Sequence, residues 1–413
     1  MLKIILIGLM FPILLLVGCA LANDMLENGS EESDDTTDST ESTPEDIFNK
    51  PPDDSLDDLS DDSSDEEYED TPDIDDDSEQ DHENENNNEQ YDIPSFGFID
   101  AHADTITRAL LRDPGARGLY INNTLDVDFS RLAEFGAPVQ IFALWLSDRY
   151  VAAGFERTDY MIDFFIEEVA KHSDIIEIAL DLEDIIRIAG EGKISAVLSI
   201  EGGEALMGKI ENLDHFYERG VRIFAPVWNR ENDLGFGQAT GSSIGLKPFG
   251  IEVIQRMDEL GMILDVSHLN EAGFWDAHNT STRPYMASHS NAYSVMPHDR
   301  NLKDDQITAI VESGGLIGFN MFPAIIASGN RVTLNDVSAH FKHFFDIGAG
   351  DHIGLGCDLD GIPSMPAGFS DVSSLKMFGE FLTEEFGEER AFNVMEGNFY
   401  RFFKRYFDSG NIT

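Results

Sequence analysis

The residues with the clearest chemical potential are histidines and acidic residues that directly follow apolar runs. His102 and Asp104 are two positions apart. In an extended chain, residues two apart point to the same side, so both side chains can reach one metal ion. The same kind of residue follows four later apolar runs, at Glu201, His268, His289 and Asp358, with Asp360 two positions further on.

Together these side chains form a ligand set for metal ions. Imidazole nitrogens and carboxylate oxygens suit zinc. Five or six such groups are enough for two ions that share a carboxylate. A single His after a strand is more often a core or capping residue, so the hypothesis depends on the whole set. We therefore predict a metal centre where these runs end.

Eight apolar runs must position these residues. They are apolar throughout, which is typical of parallel strands buried on both faces. Amphipathic segments such as Asp159–His172 and Lys247–Leu260 lie between them. The pattern predicts an α/β fold, a (β/α)8 TIM-like barrel of the metal-dependent hydrolase type, with its site at the carboxyl ends of the strands. A doubly wound open sheet is the alternative. The predicted strands are Phe96–Ala101, Val139–Leu146, Ser195–Ile200, Val221–Val227, Met262–Val266, Tyr285–Ser288, Leu316–Asn320 and His352–Gly356.

The charge of the chain is unevenly distributed. The formal net charge of the 413 residues is −52, and residues 24–92 hold 31 acidic residues against one Lys. Such a balance argues against binding to nucleic acid, because phosphate contacts need clustered Lys and Arg. It also argues against electrostatic docking on anionic lipid. Residues 24–92 contain few large apolar residues, so we predict a disordered acidic linker ahead of a barrel domain over residues 93–413.

Residues 1–23 have the pattern of a signal peptide. Lys3 precedes an apolar run of 15 residues, which is short for a membrane span. Leu16-Val17-Gly18-Cys19 resembles a bacterial lipobox, which predicts a lipid on Cys19 and attachment to the outer face of the cell membrane by that lipid only. The alternative is a secreted protein cleaved at Ala20–Ala22. If Cys19 is lipidated or removed, only Cys357 remains, so no disulfide is expected.

Six motifs follow one another along the predicted barrel domain. This series resembles the membrane dipeptidase (renal dipeptidase) family of zinc metallopeptidases, over residues 94–405. The resemblance implies a (β/α)8 barrel with two zinc ions. The motifs are Phe98–Thr105, Ser199–Gly203, Asp265–His268, Ala287–Ala292 with Asp299–Leu302, Gly315–Gly318 and Gly354–Gly361.

The resemblance also implies a role for individual residues. His102 and Asp104 would hold the first zinc, Glu201 would bridge both ions, and His268 and His289 would complete the second. Arg300 would bind the terminal carboxylate of a dipeptide, for which a planar guanidinium is suited. Asp358 would accept and then donate a proton at the water shared by the ions, which attacks the peptide carbonyl as hydroxide. Asp360 is the alternative for this proton relay.

The sequence departs from the animal members of the family at one substrate contact. Trp228 stands where those members carry a His. An indole N–H can donate a hydrogen bond but cannot carry positive charge. Either Trp228 alters the substrate contact, or it only walls the pocket while Asn229 or a zinc ion serves the oxyanion. Cys357, beside Asp358, is not expected to be a nucleophile because no His partner is evident.

The leading functional hypothesis is a zinc-dependent dipeptidase at the outer cell surface. Its substrates would be dipeptides, including ones with a D-residue. A second hypothesis keeps the binuclear centre but assigns another carboxylate-bearing amide or a lactone as substrate. A third is a non-catalytic lipoprotein that binds peptides at the surface. A homodimer is left open.

Overall fold

The computed structural model describes residues 94–112, 118–329 and 331–408. The predicted signal peptide, the lipidation site Cys19 and the whole predicted linker lie outside the described residues. Along the described ranges, no helix combines the length and the apolar character needed to cross a membrane.

The described strands form a parallel barrel that confirms the predicted fold class. Eight strands follow the order β6-β5-β4-β2-β1-β9-β8-β7. A parallel bridge between Asp265 and Met286 links β6 to β7, so the sheet is nearly closed and the open-sheet alternative is wrong. The strands are β1 (Ile99–Ala103), β2 (Val139–Trp145), β3 (Ile176–Ile178), β4 (Ile194–Glu201), β5 (Val221–Ala225), β6 (Ile263–Leu264), β7 (Met286–Ala287), β8 (Leu316–Phe319) and β9 (Ile353–Leu355).

The eight predicted strands correspond to β1, β2 and β4–β9, and β3 is an addition. It pairs only with β4 and lies outside the barrel order. β6 and β7 are each two residues long, shorter than predicted. Beyond them, the backbone N–H groups of Ser267 and Ser288 donate to the side chain of Asp265 instead of to a neighbouring strand, so the regular ladder ends there.

Helices connect the strands, as the amphipathic pattern predicts. α6 begins with Pro248 in its first turn and ends at Leu260, followed by Gly261, whose φ of 72° suits a glycine. α3 begins earlier than Asp159 because the turn 154–157 continues the same buried face through Phe155. The helices are α1 (Thr105–Arg112), α2 (Phe129–Ala133), α3 (Gly154–Lys171), α4 (Leu182–Gly190), α5 (Glu211–Glu218), α6 (Pro248–Leu260), α7 (Glu271–Thr280), α8 (Asp304–Glu312), α9 (Leu334–Asp346), α10 (Leu375–Phe386), α11 (Glu388–Phe392) and α12 (Asn398–Asp408).

Two apolar clusters hold this arrangement together. The larger one lies between the strands and the surrounding helices. The smaller one joins residues near the start of several strands, such as Ile99 and Val139, to the aromatic residues Phe399, Phe402 and Phe403 of α12. α12 therefore packs at the end of the barrel where the strands begin, and leaves the carboxyl ends of the strands for the site.

Candidate metal centre

The structure brings the predicted ligands together at the carboxyl ends of the strands. His102 lies on β1 and Asp104 directly follows it, Glu201 is the last residue of β4, and the others follow β6, β7 and β9. The pairing of β1 with β2 shifts register between Asp100 and Ala103, an irregularity of the kind that re-aims side chains beside active sites. Three groups of described residues have ligand atoms that lie within 4.8 Å of one another. The first is His102, Asp104 and Asp358, and the second is Glu201, His268 and His289. The third, Asp265 with His102 and His289, shares its histidines with the other two.

Glu201 belongs to the second group and also faces the first. Its Oε2 lies 3.6 Å from His102 Nε2, while its Oε1 lies 2.9 Å from His268 Nε2 and 3.5 Å from His289 Nε2. Each carboxylate oxygen therefore faces a different set of ligands. This is the arrangement that a bridge between two ions requires.

The first group contains buried polar atoms without partners. His102 is 2 % exposed, and its Nε2 makes no hydrogen bond within the described chain. The Oδ1 of Asp104 also lacks a partner there. Buried polar atoms are rarely left unpaired, and a cation between these two residues would satisfy both. The donor set thus fits a metal ion.

The protonation of the second group also suits metal binding. Burial, assisted by the charge of Arg300, lowers the pKa of His268 to about 4. Burial and the neighbouring His102 lower the pKa of His289 well below its usual value. Burial alone would raise the pKa of Glu201, but His102 and the other two histidines hold it well below its usual value. Neutral imidazoles and an ionised carboxylate are the forms that bind metal.

Asn229 orients His268. The amide oxygen of Asn229 accepts hydrogen bonds from Gln238 Nε2 at 2.6 Å and from His268 Nδ1 at 2.8 Å. Because Nδ1 carries the proton, Nε2 keeps its lone pair for a metal ion. Asn229 therefore orients a predicted metal ligand, in addition to the substrate contact predicted for it from the sequence.

A serine and a buried carboxylate orient His289. The hydroxyl of Ser288 donates to Asp265 Oδ2 at 2.5 Å, so His289 Nδ1, 2.7 Å from the same hydroxyl, must donate to it. The backbone N–H groups of Ser267 and Ser288 both donate to Asp265 Oδ1. Asp265 also lies within ligand distance of His102 and His289. Because its oxygens are occupied by hydrogen bonds, it supports a ligand and does not need to be one.

Ser288→Ala and Asp265→Asn should each weaken metal binding about 10- to 100-fold, because partners that orient a ligating His have effects of this size. Chelator competition at fixed pH, read as metal content, measures the loss. Ser294→Ala is a matched control, since Ser294 also donates to a carboxylate, Asp304, but at an exposed position. Unchanged affinity in both site variants would show that the hydrogen bonds of Ser288 do not orient His289.

Asp358 and Asp360 face different partners. Asp358 Oδ2 accepts a hydrogen bond from Asn320 Nδ2 at 3.0 Å, and Asp358 belongs to the group with His102 and Asp104. Asp360 instead accepts hydrogen bonds from Thr105 Oγ1 and from the backbone N–H of Asp126. Burial raises the pKa of each carboxyl to about 7. Only Asp358 therefore combines a proton that can be exchanged near neutral pH with a position at the centre.

Three of these positions require unusual backbone conformations. His268 has a φ of 69°, Asp358 a φ of 60° and Asp360 a φ of 67°, values that side chains other than glycine rarely adopt. Such strain persists where the surrounding structure imposes it, and it is common at functional sites. At His268 and Asp358 the strained backbone turns the imidazole and the carboxylate toward the other ligands.

Arg300 lies against the second group. Its Nη2 donates to His268 Nε2 and to the backbone carbonyl of His289, both at 3.1 Å. Within the described chain it forms no ion pair with a carboxylate, although burial lowers its pKa. A metal ion on His268 Nε2 would take that lone pair, so Arg300 would keep its bond to the His289 carbonyl and have its other N–H groups available to a substrate anion.

Trp228 forms part of a cleft beside the centre. The cleft has a volume of about 570 Å³ and is lined by Glu201, Trp145 and Trp228, among others. The rings of the two tryptophans are 4.9 Å apart, and the ring of Trp228 is 6.2 Å from that of His268. Trp228 thus forms a wall of the cleft close to a predicted metal ligand.

Several residues of the site were not singled out from the sequence. They are Asp265, Ser288, Gln238, Asn320, Glu204 and Trp145. Asp265 and Ser288 do occur in the quoted motifs, three positions before His268 and one before His289. That proximity was the available signal, but spacing alone does not separate a ligand from its support. Cys357 is buried and burial raises the pKa of its thiol, which agrees with its exclusion as a nucleophile.

A parallel barrel with clustered histidines and carboxylates at the carboxyl ends of its strands defines a metal-dependent hydrolase of the (β/α)8 class. The model of the membrane dipeptidase family, peptidase family M19, matches residues 93–409. The chain belongs to this family and is a metallo-dipeptidase, a hydrolase that acts on peptide bonds.

Individual proteins support the assignment. An uncharacterized protein from the pqqA 5′ region of Klebsiella pneumoniae is 36% identical over 217 residues, which are 50% of this chain and 80% of that protein. The crystal structure of dipeptidase AC, a family M19 metallopeptidase, matches with a TM-score of 0.71 and 26% identity, over 75% of this chain and 98% of the other. A metallopeptidase from Rhodobacter sphaeroides, crystallised with a phosphinate mimic of L-Ala-D-Ala, shares the fold, with a TM-score of 0.68, 24% identity and coverage of 75% and 98%.

Proposed function

We propose that this chain is a dipeptidase that uses two zinc ions. His102 and Asp104 would hold one ion, His268 and His289 would hold the other, and Glu201 would serve both. The observation that carries this proposal is the division of the two Glu201 oxygens between His102 and the His268–His289 pair. Zinc ions, when bound, supply a Lewis acid and lower the pKa of a coordinated water to near neutrality.

The side chains around the centre provide the remaining functions. Arg300 binds the free carboxylate of the dipeptide and sets the position of its C-terminal residue. Asp358 accepts a proton from the attacking water and passes it to the leaving amine. A carboxyl whose pKa burial raises to about 7 can exchange that proton near neutral pH. Asp358 and Glu201 are therefore the proposed catalytic carboxylates.

The location of the enzyme is a separate proposal. The lipobox-like sequence before Cys19 supports a lipid anchor on the outer face of the cell membrane, and residues 24–92 would serve as a spacer. Mass spectrometry of the protein isolated from membranes tests this point. A mature chain that begins after Ala22 without a lipid would contradict it.

The activity is tested with the full chain and a panel of dipeptides. The panel should include L-Ala-L-Ala and L-Ala-D-Ala, because the mimic in the Rhodobacter structure represents the latter. We expect hydrolysis of at least one dipeptide, loss of activity on chelation, recovery with zinc, and two zinc ions per chain by elemental analysis. Turnover of N-acyl amino acids or lactones, but of no dipeptide, would support the second hypothesis instead.

Arg300→Lys should lower kcat/KM for dipeptides about 10- to 100-fold, mainly through KM, because the ammonium cannot reproduce a bidentate contact with a carboxylate. The matched comparison uses the same dipeptides with an amidated C-terminus, for which the variant and the unaltered enzyme should differ little. An equal loss on both substrates would mean that Arg300 supports the metal centre and does not bind the carboxylate.

A further inference from the structure

The cleft beside the metal centre extends away from Arg300. It reaches the centre at Glu201, and neither Arg300 nor His268 nor His289 lines it. If Arg300 holds the C-terminal carboxylate and the scissile carbonyl lies at the ions, the residue on the far side of the centre is the N-terminal one. The cleft is therefore the space available to the N-terminal side chain of a dipeptide.

The walls of this cleft are mainly apolar and aromatic. Trp145 and Trp228 form one part, with their rings inclined at 61°. Val151 and Met207 form another, and they are 38 % and 40 % exposed without a substrate. Such walls suit an aliphatic chain, and the face of an indole also attracts a cation.

Glu204 is a carboxylate of the cleft that forms no ion pair with a cation of the described chain. Glu204 is largely buried, and its only side-chain partner in the described chain is Asn232 Nδ2, at 3.3 Å. Burial raises its pKa, and the negative charges of Glu201 and Asp148 add to this effect. A buried carboxylate without a positive partner is unfavourable unless a ligand supplies one.

The other charges of the cleft are mostly paired within the protein. Arg230 Nη1 lies 2.6 Å from Asp148 Oδ2, and Lys247 Nζ lies 2.7 Å from Glu231 Oε1. The single guanidinium that lines the cleft is thus already matched by a carboxylate. Asp233 also lines the cleft without an ion pair in the described chain, but it is exposed to water. Glu204 is more buried, so it is the carboxylate for which a substrate would have to provide the partner.

We propose that the cleft gives the enzyme a preference for dipeptides whose N-terminal residue carries a long cationic side chain, such as lysine or ornithine. The methylene groups lie along Trp145 and Trp228, and the terminal ammonium pairs with Glu204. This inference rests on the proposed dipeptidase function. It adds a substrate class and a residue that determines specificity.

The test compares three substrates of similar length on the zinc-loaded full chain: Lys-Ala, norleucine-Ala and Glu-Ala. Norleucine has a linear aliphatic side chain like that of lysine but lacks the charge. We expect kcat/KM for Lys-Ala to exceed that for norleucine-Ala about tenfold, the size of one charge-assisted hydrogen bond. Glu-Ala should be the poorest of the three. In Glu204→Gln the ratio of Lys-Ala to norleucine-Ala should fall to about one.

Glu380→Gln is the matched control, because Glu380 is an exposed acid on α10 outside the cleft. Its ratio should equal that of the unaltered enzyme. Hydrolysis of Ala-Ala without a preference for Lys-Ala, or an unchanged ratio in Glu204→Gln, would overturn the inference and leave the dipeptidase proposal intact. Failure to hydrolyse any dipeptide would overturn the dipeptidase proposal itself. The comparison of substrates on the unaltered enzyme does not depend on whether a variant folds.

Discussion

Glu201→Gln should reduce dipeptide hydrolysis by roughly 10³-fold, which corresponds to the loss of several kcal/mol of stabilisation by metal ions. The physical reason is that its two oxygens have different partners: one faces His102, and the other faces His268 and His289. An amide offers one oxygen and a neutral N–H₂ group, so it can serve only one of the two sets.

Elemental analysis and kinetics together test this result. The variant should retain fewer than two metal ions per chain after dialysis, and added zinc should restore little activity. Glu380→Gln, which removes an exposed carboxylate, should keep both the metal and the activity. A Glu201→Gln enzyme that binds two ions with normal turnover would show that Glu201 does not bridge them.

Asp358→Asn should lower the rate of catalysis, whereas Asp360→Asn should lower the stability of the fold. Asp358→Asn should lower kcat by about 10²- to 10⁴-fold, the usual contribution of a positioned proton acceptor. Its melting temperature should change little, because the oxygen of an amide can still accept the hydrogen bond from Asn320 Nδ2. The variant isolates proton transfer because the two side chains have nearly the same size.

Asp360→Asn should mainly destabilise the fold. The Asp360 carboxylate accepts hydrogen bonds from Thr105 Oγ1 and from the N–H groups of Asp126 and Val127. An amide N–H₂ group cannot accept them, and each buried donor left unpaired costs about 1–3 kcal/mol. Thermal unfolding should show the loss as a lower melting temperature. If Asp360→Asn instead abolished turnover in a stable protein, the proton relay would belong to Asp360.

The sequence was sufficient to predict that the candidate metal ligands lie together, because the barrel topology converts order along the chain into position in space. His102, Glu201 and His289 each end a buried apolar run, and the carboxyl ends of parallel strands meet at one end of a barrel. The strand β3 was missed because three residues are too few to give a periodic signal.

The supporting contacts could not be predicted in the same way. Asn229 and His268 are 39 positions apart in the sequence, and they meet through loops that no periodicity describes. Asp358 and Asp360 follow the same strand, and only their distant partners distinguish them. The partners of Asp360 are more than 200 positions away. These contacts depend on the complete fold.

The barrel is also joined by contacts between its first and last segments. β1 pairs with β9, and the N–H of Phe96 donates to Glu396 Oε2, 300 positions later, at 2.6 Å. During synthesis on the ribosome, β1 therefore emerges long before its partner exists. Until the last segments are made, β1 and β8 each have an unpaired edge, and such edges favour aggregation. A chain cut short before β9 should consequently be removed by chaperones and proteases, and should not persist as a weaker enzyme.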